Sequence, residues 1–162
     1  MDMRSAMTLT LLAVTLQIPS FAQQNVPVKV TITSPTPVAK SGAPIRIDVS
    51  VLNLSDHVIK ILKPLGFDGQ AEFVNHVQVY DAQGKPLVWI AGRHSAVSRK
   101  TISVEPGKSE NDFMILSNLY DMTKPGRYRV AIRHELIQFG APRIEDMRSF
   151  VPSNTLDITV TD

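Results

Sequence analysis

The sequence predicts an all-β sandwich, on three observations. Apolar residues recur with period two from about residue 26 to the end. Turn residues break that period roughly every ten residues. No window beyond the first 22 residues sustains a 3.6-residue apolar period over three turns. The 162 residues are 43% hydrophobic and 20% charged, the balance of a chain that buries one core. There is no cysteine, which excludes disulfides, thiolate metal sites and cysteine nucleophiles. With 17 Lys and Arg against 15 Asp and Glu, a net charge of +2 is no nucleic-acid footprint unless the bases cluster on one face.

Residues 1–22 have the form of a secretory signal peptide. Arg4 gives a positive start, Ala6 to Ile18 is uncharged and rich in leucine, and Pro19 precedes the small-residue site Ser20-Phe21-Ala22. The apolar run is too short to span a bilayer, which takes ~20 residues. Cleavage would remove one acid and one base, Asp2 and Arg4, and leave the charge balance unchanged. A single domain over 23–162, secreted or periplasmic and without a membrane span, is the expectation.

The strands follow in order. Val26, Val28, Val30 and Ile32 alternate with polar residues and Pro27; after Pro35, Pro37, Gly42 and Pro44 the alternation resumes at Ile45, Ile47, Val49 and Val51. A turn at Asn53-Leu54-Ser55-Asp56 leads to a short strand at Val58 to Leu62. Phe73 to Asp81 and Pro86 to Ala91, around the turn Asp81-Ala82-Gln83-Gly84, predict a hairpin with Trp89 in the core. Thr101 to Val104, Asp112 to Leu116, Arg127 to Ile137 and Leu156 to Val160 complete eight or nine strands, with one helical or 3₁₀ turn in Ser117 to Thr123. Irregular loops and unequal strands favour immunoglobulin-like Greek-key connections. Pro125-Gly126-Arg127-Tyr128-Arg129-Val130 resembles a tyrosine corner, in which the hydroxyl bonds the chain just upstream.

No catalytic constellation is written locally. His57, His76, His94 and His134 are not spaced as metal pairs, and His134-Glu135-Leu136-Ile137-Gln138 lacks the second His and the helix of a zinc-protease motif. Strand geometry sends His134 and Glu135 to opposite faces. Asp68-Gly69-Gln70-Ala71-Glu72 is too short for a calcium loop. Nucleophile elbows, P-loops and dinucleotide fingerprints are absent, so no catalytic residue, metal or cofactor is expected. Arg127, Arg129 and Arg133 share a strand face, expected to be solvated and neutralised by Asp48 or Asp157 across neighbouring strands.

Function then falls to the loops. The basic segment 92–100 offers Arg93, His94 and Arg99; the long segment 138–153 offers Phe139, Ile144, Met147 and Phe150, braced by Pro142 and Pro152. The second is either a contact surface or a cap on the core with an extra edge strand. These seven residues are the candidate partner-binding set, for a protein or cell-envelope component and not for nucleic acid.

Four landmarks occur in order: Val51-Leu52-Asn53-Leu54-Ser55; Val79-Tyr80-Asp81 through Gly84 to Leu87-Val88-Trp89; Val104-Glu105-Pro106-Gly107-Lys108-Ser109; and Pro125-Gly126-Arg127-Tyr128-Arg129-Val130. In this order they resemble the BsuPI-type intracellular proteinase inhibitor family, whose members are immunoglobulin-like sandwiches. Leu116 to Val130, with Leu119-Tyr120-Asp121-Met122, is also similar to the noncatalytic sandwich domain of deuterolysin-type secreted metallopeptidases. The resemblance implies a sandwich and a proteinase-inhibitor activity, which segment 138–153 or 92–100 would present. The expectation from the residues themselves is a non-catalytic binding domain; carbohydrate binding through exposed aromatics is a further alternative.

Overall fold

Alternating burial along each strand builds two facing sheets in this computed structural model, which describes residues 28–64, 75–91, 99–137 and 148–162. The first sheet pairs β1 (Val28–Thr33), β3 (Arg46–Asn53) and β7 (Ser109–Ile115) in the order β1-β3-β7. The second runs β2 (Val38–Lys40), β10 (Leu156–Thr161), β8 (Gly126–Ile137), β5 (Asn75–Tyr80), with β9 (Arg148–Pro152) also on β8. β4 (Ile59–Pro64) and β6 (Arg99–Val104) form a separate two-stranded ladder that follows the β3–β7 pairing across a break. The architecture is an immunoglobulin-like β-sandwich.

Period two places one face of every strand in a shared core. Val30, Ile32, Ile47, Val49 and Met114 come from one side, and Val79, Val130, Ile132, Ile158 and Val160 from the other. Pro35 and Pro37 break the first strand, so that it leaves β3 and re-enters the second sheet as β2, parallel to β10. Tyr128 forms the expected corner, its hydroxyl donating to the Lys124 carbonyl at 2.7 Å. A 3₁₀ turn at Leu116–Asn118 overlaps the start of Ser117 to Thr123, where one helical or 3₁₀ turn was expected.

Ten strands are described where eight or nine were expected, and three differences have physical reasons. The three-residue β2 is too short to show a period. Pro86 to Ala91 is not the return strand of a hairpin: it makes one bridge to β5, Tyr80↔Pro86, flanked by the Asp81 amide on the Lys85 carbonyl and the Leu87 amide on the Val79 carbonyl, and then leaves for Tyr120. Within segment 138–153, residues Arg148–Pro152 form an edge strand on the far end of β8.

The break between the β3–β7 and β4–β6 ladders is tied by one side chain. β3 and β4 are separated by residues 54–58 and β6 and β7 by residues 105–108, so one antiparallel ribbon is interrupted at the same level in both strands. Asn53 fills the gap with no exposure at all. Its Nδ2 donates to the carbonyls of His57 (2.8 Å) and Val104 (2.9 Å), while its Oδ1 accepts from the Ser55 amide (2.9 Å) and hydroxyl (2.6 Å). Its own amide donates to the Lys108 carbonyl and its carbonyl accepts from Gly107, both at 3.0 Å. Gly107 reaches this point with φ of 69°, a left-handed conformation that suits glycine.

Asn53→Ala leaves the buried Val104 carbonyl without this donor. It is expected to lower unfolding free energy by about 3 kcal/mol in urea titrations. Tyr128→Phe, which removes one half-exposed hydrogen bond, is expected to cost only about 1 kcal/mol.

Candidate functional site

The most exposed contiguous apolar surface among the described residues is Val88-Trp89-Ile90, at 80%, 40% and 56% exposure. It begins at the Asp81 turn, where Asp81 Oδ1 accepts from the Gln83 (3.0 Å) and Lys85 (2.8 Å) amides. Leu87 then donates its amide to the Val79 carbonyl of β5 and Ile90 donates to the Leu119 carbonyl, each at 2.8 Å. Residues 86–91 are thus a strap across one edge of the sandwich. Its middle is fixed by Trp89 packed edge-on against Tyr120, ring centroids 5.5 Å apart.

Tyr120 belongs to the same fastening. Its hydroxyl donates to the Val77 carbonyl at 2.8 Å, covering the edge of β5, and burial raises its pKa above the ordinary value, keeping it a donor. The adjacent Asp121 accepts from the Thr123 hydroxyl (2.6 Å) and amide (3.2 Å), which holds its carboxyl below the usual range and keeps a negative charge beside Tyr120. Trp89, expected in the core, therefore sits at the surface. The signal was the run Leu87-Val88-Trp89-Ile90-Ala91, which has no polar residue to occupy an outward face.

A second feature lies where β4, β5 and β8 meet. Ile61, Lys63, Asn75, Glu110 and His134 line a crevice of about 20 Å³, room for no more than one water. His134 is 2% exposed and its Nδ1 pairs with Asn75 Oδ1 at 2.9 Å, while its Nε2 has no hydrogen-bond partner among the described residues. Burial lowers the His134 pKa to about 4. Lys63 and Glu110 form an ion pair beside it. His134 and Glu135 do face opposite ways, as strand geometry requires, and both are buried. No group of three or more metal-binding side chains occurs among the described residues.

Of the seven candidate residues, Arg93, His94, Phe139, Ile144 and Met147 lie outside the described residues, as do the segment Asp68 to Glu72 and the leader 1–22. Arg99 opens β6, with its backbone in register with Pro64. Phe150 lies on the outward face of the second sheet, T-shaped to His76 at 4.7 Å and beneath the Arg133 guanidinium at 5.1 Å. Arg99 and Phe150 are thus on different sheets. Asp157 is the carboxylate that approaches the arginine stripe, 3.6 Å from Arg127 and from Arg129, whereas Asp48 pairs with Arg46 on the other sheet.

No family model matches the chain. No curated protein matches it either. Among solved structures it is similar to a CARDB domain from Pyrococcus furiosus, solved in complex with di-metal ions: 16% identity, 83% of this chain and 87% of that one, TM-score 0.43. It is also similar to part of a beta-glucosidase from Listeria innocua solved with isofagomine, at 12% identity and TM-score 0.44, covering 82% of this chain and 16% of the enzyme.

The His134 environment gives a pH dependence with a definite sign. Below 6.5 the unfolded chain binds a proton that the folded chain refuses until about pH 4, so stability is full above 6.5 and falls as pH drops through that window. Between pH 7 and 5 the loss from this group is about 2 kcal/mol. Thermal unfolding across that range should show it, and His134→Gln should flatten the dependence.

Proposed function

We propose that the protein is an exported, non-catalytic immunoglobulin-like module that binds another protein or a cell-envelope component through the strap at residues 86–91. The observation that carries this is the exposure of Val88, Trp89 and Ile90 on a segment fastened at both ends. A pre-ordered apolar patch loses little conformational entropy on binding, and tryptophan is among the residues enriched at binding hot spots. Export rests on the form of residues 1–22.

The likeness to BsuPI-type inhibitors supports the frame more than the activity. Asn53 and Ser55, Asp81 and Gly84, Gly107 and Tyr128 all serve turns or corners. Inhibition through segment 92–100 is the second reading, favoured by the anchoring of that segment's two flanks: the strap ends at Ala91, and Arg99 is paired in β6.

A photo-reactive residue at position 88 should give a discrete adduct with one component of secreted or envelope fractions, and one at Thr31 on the opposite sheet should not. Trp89→Ala should weaken capture of that component about thirtyfold. Identical adducts from both positions would refute the strap. Stoichiometric inhibition of a secreted protease, lost on scrambling 92–98 with the strap intact, would favour the second reading. A change in Trp89 fluorescence on adding envelope polysaccharide alone would favour a carbohydrate ligand.

A further inference from the structure

We propose that the outward face of the second sheet, along Arg127, Arg129 and Arg133, docks an acidic polypeptide in extended conformation with carboxylates on every second residue. This surface is separate from the strap, and the inference stands without it.

The three arginines lie on alternating positions of β8, between β5 on one side and β10 and β9 on the other. Arg127 and Arg129 are therefore about 7 Å apart along the strand, and the row from Arg127 to Arg133 spans about 20 Å. Carboxylates on alternate residues of an extended peptide repeat at the same interval, so the two rows match in spacing as well as in sign.

The guanidiniums on this face keep their donors. Asp157 stands 3.6 Å from both Arg127 and Arg129, too long for a hydrogen bond to either, and with Asp81 at the groove's rim the three guanidiniums still outnumber these two exposed carboxylates. Glu135, the other carboxylate on this face of β8, is buried opposite Phe150 and withdrawn from the surface. Arg133 has no carboxylate partner among the described residues; the Phe150 ring positions it instead. An open groove of about 620 Å³, lined by Tyr80, Asp81, Gly84, Arg127, Arg129 and Asp157, continues the surface past the Arg127 end.

Of the aromatics on this face, Phe150 is engaged by Arg133 and His76, and Tyr80 stands alone beside Arg129 at the groove, so the face has no run of free rings on which successive bases could stack. What the face offers is planar donor forks, which suit carboxylates in bidentate pairs.

The test is fluorescence anisotropy of a labelled dodecapeptide of alternating Glu and Thr, titrated with the purified protein at about 20 and about 150 mM salt. Binding should weaken with salt, and the triple variant Arg127→Gln, Arg129→Gln, Arg133→Gln should lose at least about tenfold in affinity. Asp157→Asn, which removes the negative charge between Arg127 and Arg129, should tighten binding about threefold. A peptide of the same composition with its glutamates in one block should bind more weakly than the alternating one. Thermal unfolding of each variant checks that the fold is kept. Absence of peptide binding at low salt overturns the proposal, as does a triple variant that binds like the parent. Binding of single-stranded DNA or a sulfated polysaccharide in place of the peptide would also overturn it, and would mark the face as a site for those polyanions.

Discussion

The fold turns on the side chain of Asn53. β3–β4 and β6–β7 form one antiparallel ribbon broken at a single level, beyond which β4 packs against β8. The break leaves backbone groups in the interior that strand pairing no longer serves. Asn53 is the one residue type of its size with two donors and an acceptor of two lone pairs, and it uses them on His57, Val104 and Ser55. Its own backbone ties across the break to Gly107 and Lys108. Aspartate would supply no donors in its ionised form, and leucine neither donors nor acceptor.

The open edges are closed by the same means, single side chains and short backbone bridges. At β1, Asn154 donates to the Ile32 carbonyl (3.0 Å) and accepts from its amide (2.8 Å), while Val30 bridges Ser153, so the two sheets are joined along that side. At β5, the Tyr120 hydroxyl and the strap cover the Val77 and Val79 carbonyls. At β7, Glu110 pairs with Val51 of β3 through the ladder and with Lys63 of β4 through its carboxylate, which ties the two ladders together. The strap is therefore structural as well as exposed: its backbone protects an edge while its side chains face outward. The arginine row differs, being presented by the central strand of a sheet, where position is fixed by ladders on both sides.

Much of the frame was legible because period two and turn chemistry are local signals. The alternation in Val28–Thr33, Arg46–Asn53 and Gly126–Ile137 translates directly into burial, and Pro125-Gly126-Arg127-Tyr128 announces its corner by sequence alone. Val38–Lys40 is too short to carry a period, and its place beside β10 depends on a crossing between sheets. Trp89 belongs to the core in a regular hairpin, yet its position follows from the chain leaving β5 after Leu87 and from a partner, Tyr120, more than 30 residues away. Asn53 was visible as part of a turn; that its side chain also ties that turn to Val104, 51 residues away, is a long-range fact. Phe150 reaches His76 across β8, a contact between strands that spacing along the chain cannot encode.

Hydrogen exchange of individual amides under native conditions tests the role of Asn53 most directly. If the ribbon break is held as described, the amides of Asn53, Ser55 and Gly107 exchange only by global unfolding, with the same free energy as Val49 and Val130 in the core. Exchange of those three amides by a local opening, several kcal/mol below the core amides, would show that the sandwich stands without the Asn53 knot and would contradict the account.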